Sequence, residues 1–200
     1  MNIIFNYNQP SFIVLILFLS AWLIQIIYHW GLFRRLAFYK EEKKNTNYEP
    51  ISVIVCARDA HDYLIDLIPA VLSQDYPDFE LVIVNDCSQD ETEEFLKEVV
   101  RNNPKVKLVN LTQNLNFFKG KKFPLSMGIK SAQHDLLVLT DADCLPTSEK
   151  WLRNIVESYD KDTEIVLGYG PYTEYKGLLN KLIRFDTLYI AMQYLSLALA

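Results

Sequence analysis

The sequence predicts an α/β fold, a mostly parallel sheet with flanking helices, preceded by one transmembrane helix. An uncharged apolar stretch lies near the start of the chain, and short β-branched runs alternate with helical patterns after it. Strands that alternate with helices form βαβ units, which build parallel sheets. Polar residues follow directly on several of these runs, as at a ligand-binding sheet edge. With 200 residues, the chain has room for one domain and an appendage.

The apolar stretch, residues 12–30, reads FIVLILFLSAWLIQIIYHW and precedes Arg34, the first Asp, Glu, Lys or Arg residue. About 19 helical residues span about 28 Å, close to the thickness of a bilayer core. A signal peptide or a buried core helix would also be apolar. A signal peptide, however, needs a basic start and a small-residue cleavage site, and neither is evident. We expect a retained anchor.

Charge predicts the orientation of this anchor. Residues 1–11 contain no Lys or Arg, so we expect them outside the cytoplasm, whereas residues 31–49 form a basic juxtamembrane linker. The positive-inside rule then puts the rest of the chain in the cytoplasm. The predicted location is the inner or plasma membrane, with a single-pass anchor and the following domain in the cytoplasm. Three cysteines without a CxxC pair fit a reducing compartment.

The domain after the linker is expected over residues 50–175 and contains four clear strand patterns. The predicted strands are residues 51–57, 81–85, 106–111 and 136–140, with residues 164–168 as a further candidate. Helical patterns cover residues 61–73, 124–132 and 148–159, and another helix follows the capping-box spacing of residues 88–91. Residues 176–200 are basic and then apolar, which predicts an amphipathic or interfacial helix, with a core helix as the alternative.

Overall charge excludes one class of partner. The chain has 20 Lys and Arg against 25 Asp and Glu, a formal net charge of −5. Because no global basic field exists, we expect no nucleic-acid binding. Hydrophobic residues make up 50% of the chain, which excludes intrinsic disorder.

The candidate site residues lie just after the predicted strands. Arg58 and Asp59 follow the first strand, Asp86 follows the second, and Asp141 and Asp143 follow the fourth. The carboxyl ends of parallel strands meet at one edge of the sheet, so these side chains should converge there. Carboxylates at such an edge suit Mg²⁺ or Mn²⁺ together with phosphate oxygens.

A basic loop, FKGKKFP, lies between the third and fourth strands and contains Lys119, Lys121 and Lys122. Lysines there could neutralise a diphosphate, although a solvated surface loop is the plainer interpretation. The second Asp-x-Asp spacing, residues 160–162, follows a helix and is interpreted as a solvated loop. No GxGxxG follows the first strand and no GxxxxGK[ST] occurs, which disfavours a dinucleotide-binding domain and a P-loop ATPase.

Four ordered motifs over residues 50–159 resemble glycosyltransferase family 2, the inverting enzymes of GT-A fold. They are ISVIVCARD, SQDYP followed by ELVIVNDCSQDET, GKKFPLSMG, and VLTDADCLP. The resemblance implies a metal-dependent glycosyltransferase that moves a sugar from a UDP-sugar donor to an envelope polysaccharide or a lipid-linked acceptor. Rival interpretations are a nucleotidyltransferase and a non-catalytic, membrane-tethered nucleotide-binding module.

The resemblance also assigns roles to residues. Asp86 matches the aspartate that recognises uracil, and Lys121 the basic residue of the nucleotide-facing loop. Ala57 and Arg58, followed by Asp59, match the turn that lines the base and ribose. Asp143 matches the direct metal ligand, and Asp141 lies near the ribose or the metal.

The sequence also departs from the family pattern. Ala60 stands where the family often has Glu, and Asn85 and Cys87 replace the usual Asp and Gly around Asp86. A general base and a QxxRW-like motif are not found before Ala200, so the catalytic base is unassigned. The expectation is an N-terminal piece of a longer enzyme.

Overall fold

The computed structural model describes residues 10–40, 47–112, 120–159 and 163–199. It contains two compact units, one formed by Met1–Glu41 with Leu167–Ala200 and the other by Glu42–Val166. The elements in chain order are α1 (Pro10–Ala37), β1 (Ile51–Ala57), α2 (His61–Leu72), β2 (Phe79–Asp86), α3 (Thr92–Asn102), β3 (Val106–Leu111), α4 (Lys122–Ser131), β4 (Leu136–Asp141), α5 (Trp151–Glu157) and α6 (Leu178–Ala198).

The second unit is built on a four-stranded parallel sheet with strand order β3-β2-β1-β4, which confirms the predicted fold class. The inner strands β1 and β2 are buried almost throughout, which explains their nearly continuous apolar sequences. The chain leaves β1 towards β2 on one side, and β4 lies on the other side. A crevice for ligands is expected at the carboxyl ends of the strands beside such a switch in direction.

Helices cover both faces of this sheet. Side chains of α2, α3 and α5 share one apolar core with alternate residues of β1 and β2, including Val53, Val55 and Ile83. On the other face, Gly128 of α4 lies against Ile54 and Val84. Helix α4 is thereby fixed over the sheet, and its N-terminus points to the edge where the strands end.

Two local predictions differ from the structure. Residues 164–168 form no strand, because no described strand pairs with them and Ile165 is exposed to solvent. The capping box at residues 88–91 does not form, since α3 begins at Thr92 and the Thr92 N–H donates to Asp90 Oδ1 at 3.0 Å. Ser88 instead accepts a hydrogen bond from the Asp59 N–H.

In the first unit, α1 is long and apolar enough to cross a membrane by length and composition, with a mean hydropathy of 2.3 over its most apolar window. The helix runs past the predicted end at residue 30 and includes Arg34 and Arg35. Residues 1–9 of the predicted N-terminal segment lie outside the described residues.

Helix α6 packs against the C-terminal part of α1. His29 Nδ1 donates to the Gln25 carbonyl at 2.9 Å, which leaves Nε2 to accept from the Tyr189 hydroxyl at 2.9 Å. The Phe33 and Tyr189 rings meet edge to face at 5.9 Å between centroids, and Arg35 Nη1 donates to the Leu199 carbonyl at 3.1 Å. These contacts therefore lie near the basic end of α1.

Candidate functional site

A cavity of about 330 Å³ lies at the carboxyl ends of β1, β2 and β4, beside the N-terminus of α4. Its lining residues come from four separate segments of the α/β unit: Cys56, Ala57, Arg58, Asp59, Ala60, Tyr63, Asp86, Gly120, Lys121, Pro124, Asp141, Ala142 and Asp143. The residues predicted as a nucleotide and metal site are all in this set. The sheet brings them together because its parallel strands end at one edge.

The β1–α2 turn is held in place by the loop that follows β2. The backbone N–H groups of Asp59, Ala60 and His61 donate to Ser88 Oγ, Thr92 Oγ1 and Asp90 Oδ2 at 3.0, 3.0 and 3.4 Å. In return, Asp59 Oδ1 accepts from the Gln89 N–H at 2.6 Å. Four hydrogen bonds therefore fix the two loops on either side of the cavity.

Asp59 has a second role besides lining the cavity. Its backbone is left-handed at φ 48°, a conformation in which a short acidic residue is tolerated better than a bulky one. One of its carboxylate oxygens is already engaged by the Gln89 N–H. The predicted binding residue is thus also a structural residue of the turn.

Asp86 ends β2 and faces the cavity next to Arg58. The Arg58 Nη1 and Asp86 Oδ2 atoms are 3.9 Å apart, and the two side chains are 52% and 23% exposed. The following residue, Cys87, has φ 54°, which is the backbone conformation that glycine adopts most readily. This geometry gives a physical reason for a glycine at this position in the resembled motif.

A chain of hydrogen-bonded side chains supports Asp86 from behind. Asn85, fully buried, donates from Nδ2 to Asn110 Oδ1 at 2.6 Å and accepts the Ser88 N–H at 3.3 Å. Asn110 in turn donates to Glu93 Oε1 at 2.9 Å. Because this amide chain joins β2, β3 and α3, it fixes the backbone from which Asp86 projects.

Asp141 and Lys121 form an ion pair across the cavity. Lys121 Nζ donates to Asp141 Oδ1 at 2.8 Å, and this hydrogen bond raises the pKa of Lys121. Asp143 lies two residues after Asp141, within the turn that the Cys144 N–H closes by donating to the Asp141 carbonyl at 3.1 Å. Two carboxylates and one ammonium group thus share the mouth of the cavity.

The position of Lys121 depends on two glycines. Gly120 has φ 98°, a backbone conformation that side-chain-bearing residues rarely adopt, and it turns the chain into α4. At Gly128, a Cβ atom would lie 2.6 Å from Ile54 Cγ2 and 2.9 Å from Val84 Cγ2. Of the predicted basic cluster, Lys121 lines the cavity, Lys122 is exposed outside the lining, and Lys119 lies outside the described residues.

Six lining residues were not among the predicted site residues: Cys56, Ala60, Tyr63, Gly120, Pro124 and Ala142. Tyr63, in the first turn of α2, is 58% exposed and brings an aromatic ring to the cavity. Cys56 also lines the cavity, beside Asp141, its register partner. Burial raises the pKa of the Cys56 thiol, and the Lys121 charge acts in the opposite direction. Cys87 and Cys144 are not among the lining residues.

The donor set fits a divalent cation that shares its coordination with a ligand. Among the described residues, no group of three or more His, Cys, Asp or Glu side chains could enclose a metal ion. Asp141 and Asp143 offer two carboxylates at an open cavity, which is the number that Mg²⁺ takes alongside phosphate oxygens. The second Asp-x-Asp spacing, at residues 160–162, lies outside the described residues.

A family model described as glycosyl transferase family 2 matches residues 52–197 of the chain. The chain belongs to this family. The match includes the sheet except for Ile51, all residues that line the cavity and most of α6, so the family resemblance of the four sequence motifs is confirmed.

Two curated proteins illustrate the relationship. The chain is 32% identical over 126 residues to a poly-beta-1,6-N-acetyl-D-glucosamine synthase of Staphylococcus epidermidis, covering 61% of this chain and 29% of the synthase. It is 30% identical over 113 residues to TuaG of Bacillus subtilis, a putative teichuronic acid biosynthesis glycosyltransferase, covering 56% and 41%. The chain spans less than half the length of these curated relatives.

A solved structure with the same fold is a mannosyltransferase, PcManGT, from Pyrobaculum calidifontis in complex with GDP-Man and Mn²⁺. The TM-score is 0.58 at 26% identity, and the likeness covers 66% of this chain and 39% of the mannosyltransferase. This similarity confirms the GT-A fold of the family 2 chain.

Proposed function

We propose that this family 2 chain is the donor-binding part of a membrane-anchored, inverting glycosyltransferase. It would transfer a sugar from a UDP-sugar to an envelope polysaccharide or a lipid-linked acceptor. The observation that carries the proposal is the single cavity that collects the acidic and basic residues predicted from four separate motifs. The relatives in polysaccharide synthesis and teichuronic acid biosynthesis support an envelope saccharide as the acceptor class.

The chemistry of the cavity suits a nucleoside diphosphate. Asp86 would accept hydrogen bonds from a base or sugar hydroxyl, and Lys121 would neutralise part of the diphosphate charge. Asp141 and Asp143 are the residues that would hold Mg²⁺ or Mn²⁺, and such an ion would stabilise charge on the leaving diphosphate. The metal in the solved mannosyltransferase complex supports this assignment. The general base that deprotonates the acceptor is not assigned to any residue of this chain.

The base preference of the cavity separates two donor classes. The resemblance favours uridine, whereas the structurally similar mannosyltransferase was solved with GDP-Man. The test is displacement of a fluorescent nucleotide from the full chain, with Mn²⁺ present, by UDP, UDP-GlcNAc, GDP and GDP-Man. We expect uridine ligands to displace the probe at lower concentration. Displacement by GDP and GDP-Man alone would overturn the UDP-sugar assignment, and displacement by no ligand would contradict donor binding.

The location of the protein is a further part of the proposal. Helix α1 would be a single-pass anchor in the inner or plasma membrane, and Arg34 and Arg35 at its end would lie on the cytoplasmic side. The α/β unit, which follows these residues, would then be cytoplasmic. Helix α6 would lie along the interface, since its contacts with α1 involve His29, Phe33 and Arg35.

A further inference from the structure

Lys121 and Asp141 engage each other in a site where both groups are expected to serve a ligand. Lys121 Nζ and Asp141 Oδ1 are 2.8 Å apart, and both side chains are more than half exposed. Neither group needs the other to avoid a buried, unpaired charge, because water reaches both. The pair therefore has little structural purpose and is open to exchange with a ligand.

The backbone positions on either side of this pair are fixed. Asp141 is the last residue of β4 and is in register with Cys56 of the central strand β1. Lys121 directly precedes α4, whose packing through Gly128 against Ile54 and Val84 leaves no room for the helix to shift inward. Only the flexible four-carbon stem of Lys121 can move, so the ammonium group can leave Asp141 without a change in the fold.

A cation on Asp141 and the ammonium group of Lys121 exclude each other. A divalent ion bound to either carboxylate oxygen of Asp141 would repel the ammonium group a few ångströms away. An ion on Oδ1 would also take the oxygen that Lys121 now contacts. A diphosphate beside the ion would reverse this balance, because its negative charge attracts both cations at once. Lys121 then has a new partner within reach of the same stem.

We propose that Lys121 is a built-in counter-ion that occupies the metal-binding carboxylate Asp141 until a nucleoside diphosphate arrives with the divalent ion. The exchange lowers the affinity for the free metal ion and raises the cooperativity between metal and diphosphate. The site consequently selects the metal–nucleotide complex over either component alone. This inference rests on the proposed donor site and adds a positioning role for Lys121.

The test compares Lys121→Gln with Lys122→Gln in the full chain in detergent. Lys122 is the matched control, because it is the adjacent lysine and is exposed outside the cavity lining. Mn²⁺ binding without nucleotide is measured by the paramagnetic resonance signal of the free ion. We expect Lys121→Gln to tighten Mn²⁺ binding by about twofold to fivefold, the range that corresponds to an exposed ion pair. Lys122→Gln should leave it unchanged.

A second arm measures the coupling. With saturating Mn²⁺, Lys121→Gln should bind UDP or GDP more weakly than the parent chain, so the two effects have opposite signs. Adding Asp141→Asn to Lys121→Gln should remove the gain in Mn²⁺ affinity. The inference would be overturned if Lys121→Gln bound no Mn²⁺, or bound it with an affinity equal to or lower than that of the parent chain. Failure of the parent chain to bind UDP or GDP would instead count against the proposed donor site.

Discussion

Three of the four acidic residues that line the cavity, Asp86, Asp141 and Asp143, differ in how far their charge is already compensated. Asp86 lies 3.9 Å from Arg58, and Asp141 is paired with Lys121 at 2.8 Å. Within the described residues, Asp143 forms no ion pair within salt-bridge distance, and its Oδ1 atom lies 3.6 Å from Cys144 Sγ. Asp143 is therefore the least compensated of these three carboxylates, and its role as the direct metal ligand stays a prediction.

Cys56 provides a residue-scale prediction because it lines the cavity and its thiol pKa is raised by burial. A raised pKa leaves less thiolate at a given pH, so alkylation by iodoacetamide should be slow at neutral pH and accelerate as the pH rises. UDP or GDP with Mn²⁺ should slow the labelling of Cys56 several-fold further. Mass spectrometry of the labelled peptides measures the rate at each cysteine.

Cys87 is the internal control for this experiment. It is not a lining residue, and its thiol donates to the Leu111 carbonyl at 3.1 Å. Its labelling rate should be insensitive to the nucleotide. Equal labelling of Cys56 with and without nucleotide would mean that the ligand does not enter this cavity.

At the scale of elements, the packing of α4 against the sheet determines which positions the Lys121 side chain can reach. Gly128→Ala would place a Cβ atom 2.6 Å from Ile54 Cγ2 and 2.9 Å from Val84 Cγ2, so the helix or these two side chains must shift. We expect a loss of about 1–3 kcal/mol in the free energy of unfolding, the usual cost of overpacking. Nucleotide affinity should fall as well, because the displaced helix carries Lys121 away. Denaturant unfolding and nucleotide titration measure the two effects.

The matched control is Gly170→Ala, since a Cβ atom there meets nothing within 4 Å. This change should leave both the free energy of unfolding and the nucleotide affinity close to those of the parent chain. A Gly128→Ala variant as stable as Gly170→Ala would show that α4 is not held by close packing at this position.

Much of the α/β unit could be predicted from the sequence, because strand and helix patterns have different periods. The runs ISVIVCA and VKLVNL match β1 and β3 residue for residue, since each is bounded by polar or turn residues. Because the carboxyl ends of parallel strands meet at one edge of the sheet, the topology alone places Asp86 and Asp141 near each other. The prediction of a further strand at residues 164–168 was wrong, because an apolar run becomes a strand only where a neighbouring strand pairs with it.

Other features of the site depend on tertiary contacts that no pattern encodes. The Lys121–Asp141 pair joins residues twenty positions apart through a turn at Gly120. Tyr63 reaches the cavity because α2 begins at His61, which fixes the direction of its first turn. The signal that could have found Tyr63 is its place in the first turn after a strand end.

At the scale of the whole molecule, the predicted anchor can be tested by charge. An Arg near the centre of a membrane span costs about 2.5–3.5 kcal/mol in the free energy of membrane insertion, and Leu17 and Ile24 are positions where two such residues can be introduced. We therefore expect Leu17→Arg with Ile24→Arg to release the chain from bacterial membranes on carbonate washing, while the parent chain stays bound. Phe38→Arg, beyond the end of α1, is the control and should stay bound. If carbonate washing also extracted the parent chain, the prediction that α1 is a membrane anchor would be contradicted.

The central claim is that the cavity binds a nucleoside diphosphate through a metal ion held by Asp143. The most direct measurement is calorimetric titration of the full chain in detergent with UDP and with GDP, in the presence and absence of Mn²⁺. It is repeated with Asp143→Asn and with Asp66→Asn, an exposed aspartate of α2 outside the cavity lining. We expect binding that requires Mn²⁺, is lost in Asp143→Asn and is retained in Asp66→Asn. Binding of equal strength without Mn²⁺, or in Asp143→Asn, would contradict the account.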